Sequence, residues 1–358
     1  MQTNTTVQGK KRPALSWDIL SRYRDEIYGI SILWIMLFHG YLCEVYYFVD
    51  RPVLKYLGKF LGYGNMGVEV FLFLSGICLY FSFSKNQEII PFIRRRFRRI
   101  FPPLLVSYLP FFILQYRKGY MTLYSMFLSL ITLRTWISPS DTNWFASLIV
   151  ACYLFYPYYY GVIYEKEKGS IRRTLFLTLF MAVITFMIKN EAPELFDHME
   201  INITRIPIFI LGCGAGKLTY EKKELPAWSW FLMAVSVAVC FYGLNADWFE
   251  GIGSRYSYIL GGIPLTFFFA LLVPYTGRYI RAVLRFFGHI SLELYFVHLI
   301  MKNLYQQGYL FPYEPGNVGR WMAVLAISVP GAYLVSLIVK MFRRMKPKQA
   351  SSIDNKER

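Results

Sequence analysis

Apolar segments of membrane-spanning length recur along almost the whole of this 358-residue chain. A transmembrane helix needs about 20 mostly apolar residues to cross roughly 30 Å of hydrocarbon. No polar stretch between the apolar segments is long enough to form a soluble domain. We therefore predict an all-α polytopic membrane protein. Its ten predicted spans are residues 27–48, 66–84, 101–116, 144–164, 174–189, 201–219, 227–246, 256–275, 287–304 and 320–341.

The distribution of charge predicts how these spans are oriented. The chain has 39 Lys and Arg against 22 Asp and Glu, and ten spans place 28 basic residues on the side of both termini and 9 on the other side. Because basic loops stay in the cytoplasm, both termini are predicted to be cytoplasmic. The short apolar segment 121–137 is then an interfacial or re-entrant segment on the outer side, and the excess charge does not indicate nucleic-acid binding.

This topology divides the chain into three parts. They are a cytoplasmic N-terminal segment (1–26), an integral membrane domain (27–341) and a basic cytoplasmic tail (342–358). The five cysteines are dispersed in apolar segments, without the Cys or His spacing of a metal site or a disulfide framework. We predict no metal and no permanently bound cofactor.

Several ionisable residues lie inside the predicted spans. His39 is twelve residues into the first span from the cytoplasm, about 18 Å deep at 1.5 Å per residue, and His298 lies at a similar depth in the ninth. Ionisable groups at such depths usually face a cavity or a partner and mark a functional site. A buried hydrogen-bonding role between packed helices is the alternative for His39. Glu69, Arg205 and Glu293 lie nearer the interfaces, where structural ion pairs are equally consistent with the sequence.

A run of five arginines in six positions, Arg94 to Arg99, precedes the third span in a predicted cytoplasmic loop. Guanidinium groups bind phosphate oxygens in bidentate fashion, so the run predicts a site for a phosphate-rich small molecule such as a coenzyme A thioester. The alternative, favoured for Arg94 and Arg98, is a topology signal or a contact with lipid headgroups.

Six segments occur in a recognisable order along residues 20–305. They are "YGISILWIMLFH", "GVEVFLFLSGICLYFSFSK", "FIRRRFRRIFPP", "WFASLIVACYLFYP", "RIPIFILGCGAGKL" and "FFGHISLELYFVHLI". In this order they resemble the membrane-bound acyltransferase 3 family, of the O-antigen acetylase type. The resemblance implies transfer of an acyl group, usually acetyl, from cytoplasmic acyl-CoA to a carbohydrate hydroxyl of an exported or lipid-linked cell-envelope glycan, and a bacterial inner membrane location.

The resemblance also implies roles for individual residues. His39 matches the catalytic histidine, Glu69 the acidic residue of the second span, and Arg96 and Arg99 an Arg-x-x-Arg element that, with Arg95, would contact the donor. The remaining candidates for substrate contact or support are Ser75, Trp144, Arg205, Ser291, Glu293, Tyr295 and His298.

The chain departs from the family pattern at two positions. Tyr28 stands where the family usually has an arginine, eleven residues before the histidine; Arg24, one turn earlier, either substitutes for it or anchors the helix at the interface. Ile149 stands where the family usually has a glutamate, about five residues after Trp144.

Acyl transfer needs a base or nucleophile and a group that stabilises an oxyanion. We expect His39 to be a general base or the acyl carrier itself, and the ordinary pKa of histidine near 6.5 suits base work at neutral pH. Glu69 could orient it, and Tyr28, Ser75 and His298 are unranked candidates for the oxyanion. A proton-coupled transporter or a flippase would use the same residues and is the alternative function. Besides acyl-CoA and a glycan acceptor, only membrane lipids are expected as partners, and the oligomeric state stays open.

Overall fold

The computed structural model describes residues 15–43, 54–138, 143–166, 168–246 and 252–344. Their regular structure is helical, apart from one isolated β-bridge between Ser16 and Glu224. The α-helices are α1 Asp18–Arg22, α2 Arg24–Cys43, α3 Lys55–Gly62, α4 Met66–Phe83, α5 Ile89–Arg117, α6 Leu123–Leu130, α7 Trp144–Tyr164, α8 Ser170–Glu191, α9 Pro193–Ile203, α10 Ile206–Tyr220, α11 Trp228–Asn245, α12 Ile252–Leu272, α13 Arg278–His289, α14 Ser291–Gln306 and α15 Val318–Arg344.

The protein is an all-helical multi-pass membrane protein. Within the described residues, eight helical stretches are long and apolar enough to cross a membrane, or nine if the bent pair α13–α14 forms one span. These nine correspond to the predicted second to tenth spans. The first predicted span corresponds to α2, but its last five residues, 44–48, lie outside the described part of the chain.

The arginine run lies inside a helix, so its assignment to a loop is wrong. Helix α5 begins at Ile89, twelve residues before the predicted span, and continues without a break to Arg117. Ile89, Ile93, Phe97 and Phe101 recur every four residues and give this part of the helix one apolar face. Pro91 lies in the first turn, where proline costs no hydrogen bond.

The predicted ninth span, 287–304, contains a sharp break. Helices α13 and α14 meet at Ile290 with a bend of 72°, because the arginine-rich sequence of α13 favours a surface position whereas α14 is mostly buried. Ion pairs fix α13 against the start of α2: Arg285 bonds Glu26 at 2.6 Å and His289 bonds Asp25 at 3.1 Å.

One further boundary differs from prediction. The predicted sixth span, 201–219, covers the end of α9 and all but the last residue of α10, which begins after Arg205 with a proline in its first turn. The segment 121–137 forms α6 and a 3-10 turn, Arg134–Trp136, each too short to cross a membrane.

Helices α4 and α10 approach each other so closely that only glycine fits between them. A Cβ atom on Gly76 would lie 2.5 Å from the carbonyl oxygen of Phe209, and one on Gly212 would lie 2.2 Å from that of Phe73. Small residues allow membrane helices this approach, and van der Waals contact then holds them together. The α4–α10 pair forms one wall of the core, and α2, α5, α7 and α14 complete the space that holds the candidate site.

Candidate active site

Two buried histidines from distant parts of the sequence meet between α2 and α14. Nδ1 of His39 lies 2.9 Å from Nε2 of His298. His39 is 9% exposed and His298 is fully buried. On the other side of its ring, Nδ1 of His298 lies 2.8 Å from the backbone carbonyl oxygen of Leu294, one turn earlier in α14.

These two hydrogen bonds determine where the protons lie. A carbonyl oxygen only accepts, so Nδ1 of His298 carries a proton and donates it to Leu294. Burial without a carboxylate contact favours neutral rings, and Nε2 of a neutral His298 is then an acceptor. His39 therefore donates from Nδ1, which leaves its Nε2 with a free lone pair, as a base or a nucleophile requires.

A cavity of about 130 Å³ lies one helical turn from the histidine pair. On α2 its nearest lining residue to His39 is Ile35, and on α14 the nearest to His298 is Tyr295. Side chains from α2, α4, α5, α7 and α14 enclose it. The candidates predicted from sequence that line it are Tyr28, Ser75, Arg99, Ser291 and Tyr295.

The five arginines of α5 point to three different places. Arg95 and Arg99 line a groove of about 530 Å³ together with Arg98 and, from α15, Arg343. Arg96 points inward: it hydrogen bonds Ser82 and lies over the ring of Tyr153 at 5.8 Å. The helical repeat of 3.6 residues explains this division, since residues four apart share a face and neighbours do not.

The outward face of α5 carries Arg94 and Arg98 along an apolar groove of about 740 Å³. Arg99, by contrast, lines both the groove next to Arg343 and the cavity beside the histidines. It therefore connects the basic surface with the interior. We call the end of the helix bundle where these arginines lie the arginine end.

Glu69 and Arg205 form a buried ion pair. Nε of Arg205 lies 3.1 Å from the Glu69 carboxylate, and both side chains are at most 2% exposed. Arg205 also donates to Asn65 and to the carbonyl oxygen of Ile201, both at 3.0 Å, and lies over the ring of Trp144 at 4.8 Å. Glu69 is thus engaged by Arg205, and the orientation of His39 comes from His298 instead.

Three other candidates predicted from sequence contact neither the histidine pair nor the Glu69–Arg205 ion pair through a hydrogen bond within the described part of the chain. Arg24 bonds its neighbour Asp25 at 2.9 Å and does not line the cavity. Tyr28 stacks on Phe71 with ring centroids 4.9 Å apart. Glu293 is 4% exposed, and one of its carboxylate oxygens has no hydrogen-bond partner among the described residues.

Several residues of the site were not predicted from the sequence. Phe145 and Tyr153 line the cavity from α7, each four residues from Ile149, a spacing that identifies one helix face but not what it faces. Arg343 lies 245 positions from Arg98 and belongs to a tail that charge alone explained as a topology signal. Among the described residues, no group of three or more His, Cys, Asp or Glu side chains could hold a metal ion.

Comparisons with known proteins found one matching family and one similar protein. The sequence matches the acyltransferase 3 family, described as an acyltransferase domain, over residues 27–337. It is also similar to the protein named "Putative acetyltransferase ORF330" from Acidianus two-tailed virus, with 23% identity over 253 residues that cover 67% of this chain and 74% of the viral protein. No solved structure matches the chain.

Proposed function

Because the chain belongs to the acyltransferase 3 family, we propose that it is a membrane O-acyltransferase that moves an acyl group, in the first place acetyl, from cytoplasmic acyl-CoA to a carbohydrate hydroxyl. The acceptor would be an exported or lipid-linked glycan of the cell envelope, and the location a bacterial inner membrane. One observation supports the donor above all others. Arg99 lines both a basic groove and the cavity that lies one helical turn from a base-competent histidine.

The basic groove suits the phosphates of coenzyme A. Four guanidinium groups, those of Arg95, Arg98, Arg99 and Arg343, surround about 530 Å³, and such groups bind phosphate oxygens through paired hydrogen bonds. Along α2 the eleven residues from Tyr28 to His39 rise about 16 Å. A ligand that reaches from this groove to the histidine pair needs an extended arm, such as the one that joins the phosphates of coenzyme A to its thioester.

His39 would act on the acceptor hydroxyl. Its Nε2 removes the hydroxyl proton while the oxygen attacks the thioester carbonyl carbon. The imidazolium that forms keeps its Nδ1–H bond to His298, which holds the ring as the third group of a catalytic triad does. When the intermediate collapses, the C–S bond breaks and the ester forms. The thiolate of coenzyme A then takes from His39 the proton that came from the acceptor hydroxyl.

Nucleophilic attack by Nε2 on the thioester is the other use of the same lone pair. It would form an acyl-histidine and release coenzyme A before the acceptor reacts. The two routes differ in one observable, namely whether acyl groups accumulate on the protein when no acceptor is present.

The deciding experiment compares purified wild type with His39→Ala and with His289→Ala as a matched control. His289 is an exposed histidine that bonds Asp25 outside the cavity. Each protein receives acetyl-CoA labelled on the acetyl group together with envelope glycan, and labelled glycan and free thiol are measured. We expect transfer by wild type and His289→Ala and none by His39→Ala. Equal transfer by all three proteins would remove His39 from the chemistry, and solute transport without transfer would favour a carrier.

A further inference from the structure

One hydroxyl group in the cavity has no partner in the protein. Tyr295 is 3% exposed and lines the cavity, and its hydroxyl makes no hydrogen bond within the described part of the chain. The hydroxyl of a buried tyrosine usually finds a partner. An unpaired donor on a cavity wall therefore points to a ligand atom that accepts a hydrogen bond.

The ring of Tyr295 is held in place on two sides. Phe145 packs against it with ring centroids 4.8 Å apart, and His298 meets it edge to face at 5.5 Å. Tyr295 precedes His298 by one turn on α14, so its hydroxyl belongs to the same layer of the site as the histidine pair.

The three groups expected from sequence to stabilise the oxyanion, Tyr28, Ser75 and His298, already have partners. Both ring nitrogens of His298 are used, one by Leu294 and one by His39. Tyr28 and Ser75 lie within hydrogen-bonding reach of each other. Glu293 has a free carboxylate oxygen but is not among the residues that line the cavity. Unlike these three oxyanion candidates expected from sequence, the Tyr295 hydroxyl has no hydrogen-bond partner among the described residues.

We propose that Tyr295 is a catalytic residue whose hydroxyl donates a hydrogen bond to the carbonyl oxygen of the acyl thioester. This inference rests on the proposed acyl transfer. As the acceptor oxygen attacks, the carbonyl π electrons move onto that oxygen, and the Tyr295 O–H stabilises the charge without giving up its proton. When the carbonyl re-forms, the electron pair of the C–S bond leaves with the sulfur. A donor fixed before the reaction stabilises the transition state more than the ground state.

Tyr295→Phe tests this directly, because it deletes the hydroxyl and keeps the ring contacts with Phe145 and His298. The matched control is Tyr156→Phe. Tyr156 is fully buried on α7, its hydroxyl also has no partner among the described residues, and it does not line the cavity. We expect Tyr295→Phe to lower kcat by about 10²–10³-fold, the loss typical of one oxyanion donor, with Kd for coenzyme A unchanged. Tyr156→Phe should keep the wild-type kcat.

A second measurement separates catalysis from packing. Fluorinated tyrosines at position 295 nearly keep the shape of the ring but make its hydroxyl a stronger hydrogen-bond donor. We therefore expect kcat to rise as the fluorinated hydroxyl becomes more acidic. A wild-type kcat in Tyr295→Phe would overturn the role of Tyr295 and leave the proposed function intact. A raised Kd with unchanged kcat would also overturn it, because the hydroxyl would then bind the ground state. Absence of acyl transfer by wild type itself would overturn both proposals.

Discussion

At the scale of single residues, the chemistry depends on which nitrogen of His39 carries the proton. His298 fixes this by accepting the Nδ1–H of His39, with a 2.9 Å separation, so its role is positioning rather than direct contact with substrate. We predict that His298→Ala lowers kcat by about 10²-fold or more, within the range typical of lost general-base catalysis, and leaves coenzyme A binding unchanged. Turnover of labelled acetyl-CoA measures kcat, and equilibrium binding measures the Kd for coenzyme A.

His298→Gln is the control for that prediction. The glutamine side-chain oxygen can reach the place of the histidine Nε2 and accept the same hydrogen bond, so part of the lost kcat should return. If Gln and Ala reduced kcat equally, the hydrogen bond to His39 would not be what His298 contributes.

The two departures from the family pattern, Tyr28 and Ile149, line the same cavity. An arginine introduced at position 28 alone would meet no carboxylate among the residues that line this cavity, and an unpaired buried charge costs about 3–5 kcal/mol. We predict that Tyr28→Arg lowers the Tm of the purified protein and that adding Ile149→Glu restores part of the loss. A double variant no more stable than Tyr28→Arg would show that the two positions do not interact.

At the scale of elements, helix α5 presents its arginines on different faces. Arg95 and Arg99 line the basic groove with Arg98 and Arg343, whereas Arg94 borders the apolar groove and does not line the basic one. We predict that Arg95→Ala/Arg99→Ala weakens coenzyme A binding about tenfold or more, since one charge-assisted hydrogen bond contributes roughly 1.5–3 kcal/mol and 1.4 kcal/mol is tenfold in Kd. Isothermal titration calorimetry in detergent measures this.

Arg94→Ala/Arg117→Ala removes the same charge from the same helix and serves as the control, because neither residue lines the basic groove. Its Kd should stay within about twofold of wild type. If both double variants weakened coenzyme A binding equally, the affinity would depend on the net charge of α5 and not on the position of its arginines.

Hydropathy predicted the elements well and their ends less well. The span 144–164 coincides with α7 because Asn143 and the charged residues after Tyr164 bound it on both sides. The start of α5 was missed because a basic sequence resembles a loop when only mean hydropathy is considered, although its apolar residues recur every four positions. The break at Ile290 escaped detection because apolar residues lie on both sides of it.

The individual residues of the candidate site could be predicted from the sequence, but the contacts between them could not. An ionisable residue in an apolar segment is conspicuous, so His39, Glu69, Arg205 and His298 could all be named from sequence. Which of them pair depends on helix packing across gaps of more than a hundred residues. That packing rests on small residues such as Gly76 and Gly212, whose partners no local pattern reveals.

At the scale of the whole molecule, the structure has two distinct ends. The turn between α4 and α5 lies at the arginine end, and so does the end of α15, where Arg343 bonds the carbonyl oxygen of Arg98. The connection between α14 and α15 lies at the opposite end. Since basic residues are retained in the cytoplasm, the arginine end should face the cytoplasm, where acyl-CoA is available.

Cysteine labelling in intact cells tests this orientation. Lys85 lies in the α4–α5 turn and Pro315 in the α14–α15 connection, and both are exposed. A membrane-impermeant maleimide should label Pro315→Cys in intact cells and Lys85→Cys only after the cells are permeabilised, with the unsubstituted protein as the background control. The reverse pattern would place the basic groove outside the cell, where it could not receive a cytoplasmic acyl donor, and the donor assignment would fail together with the topology.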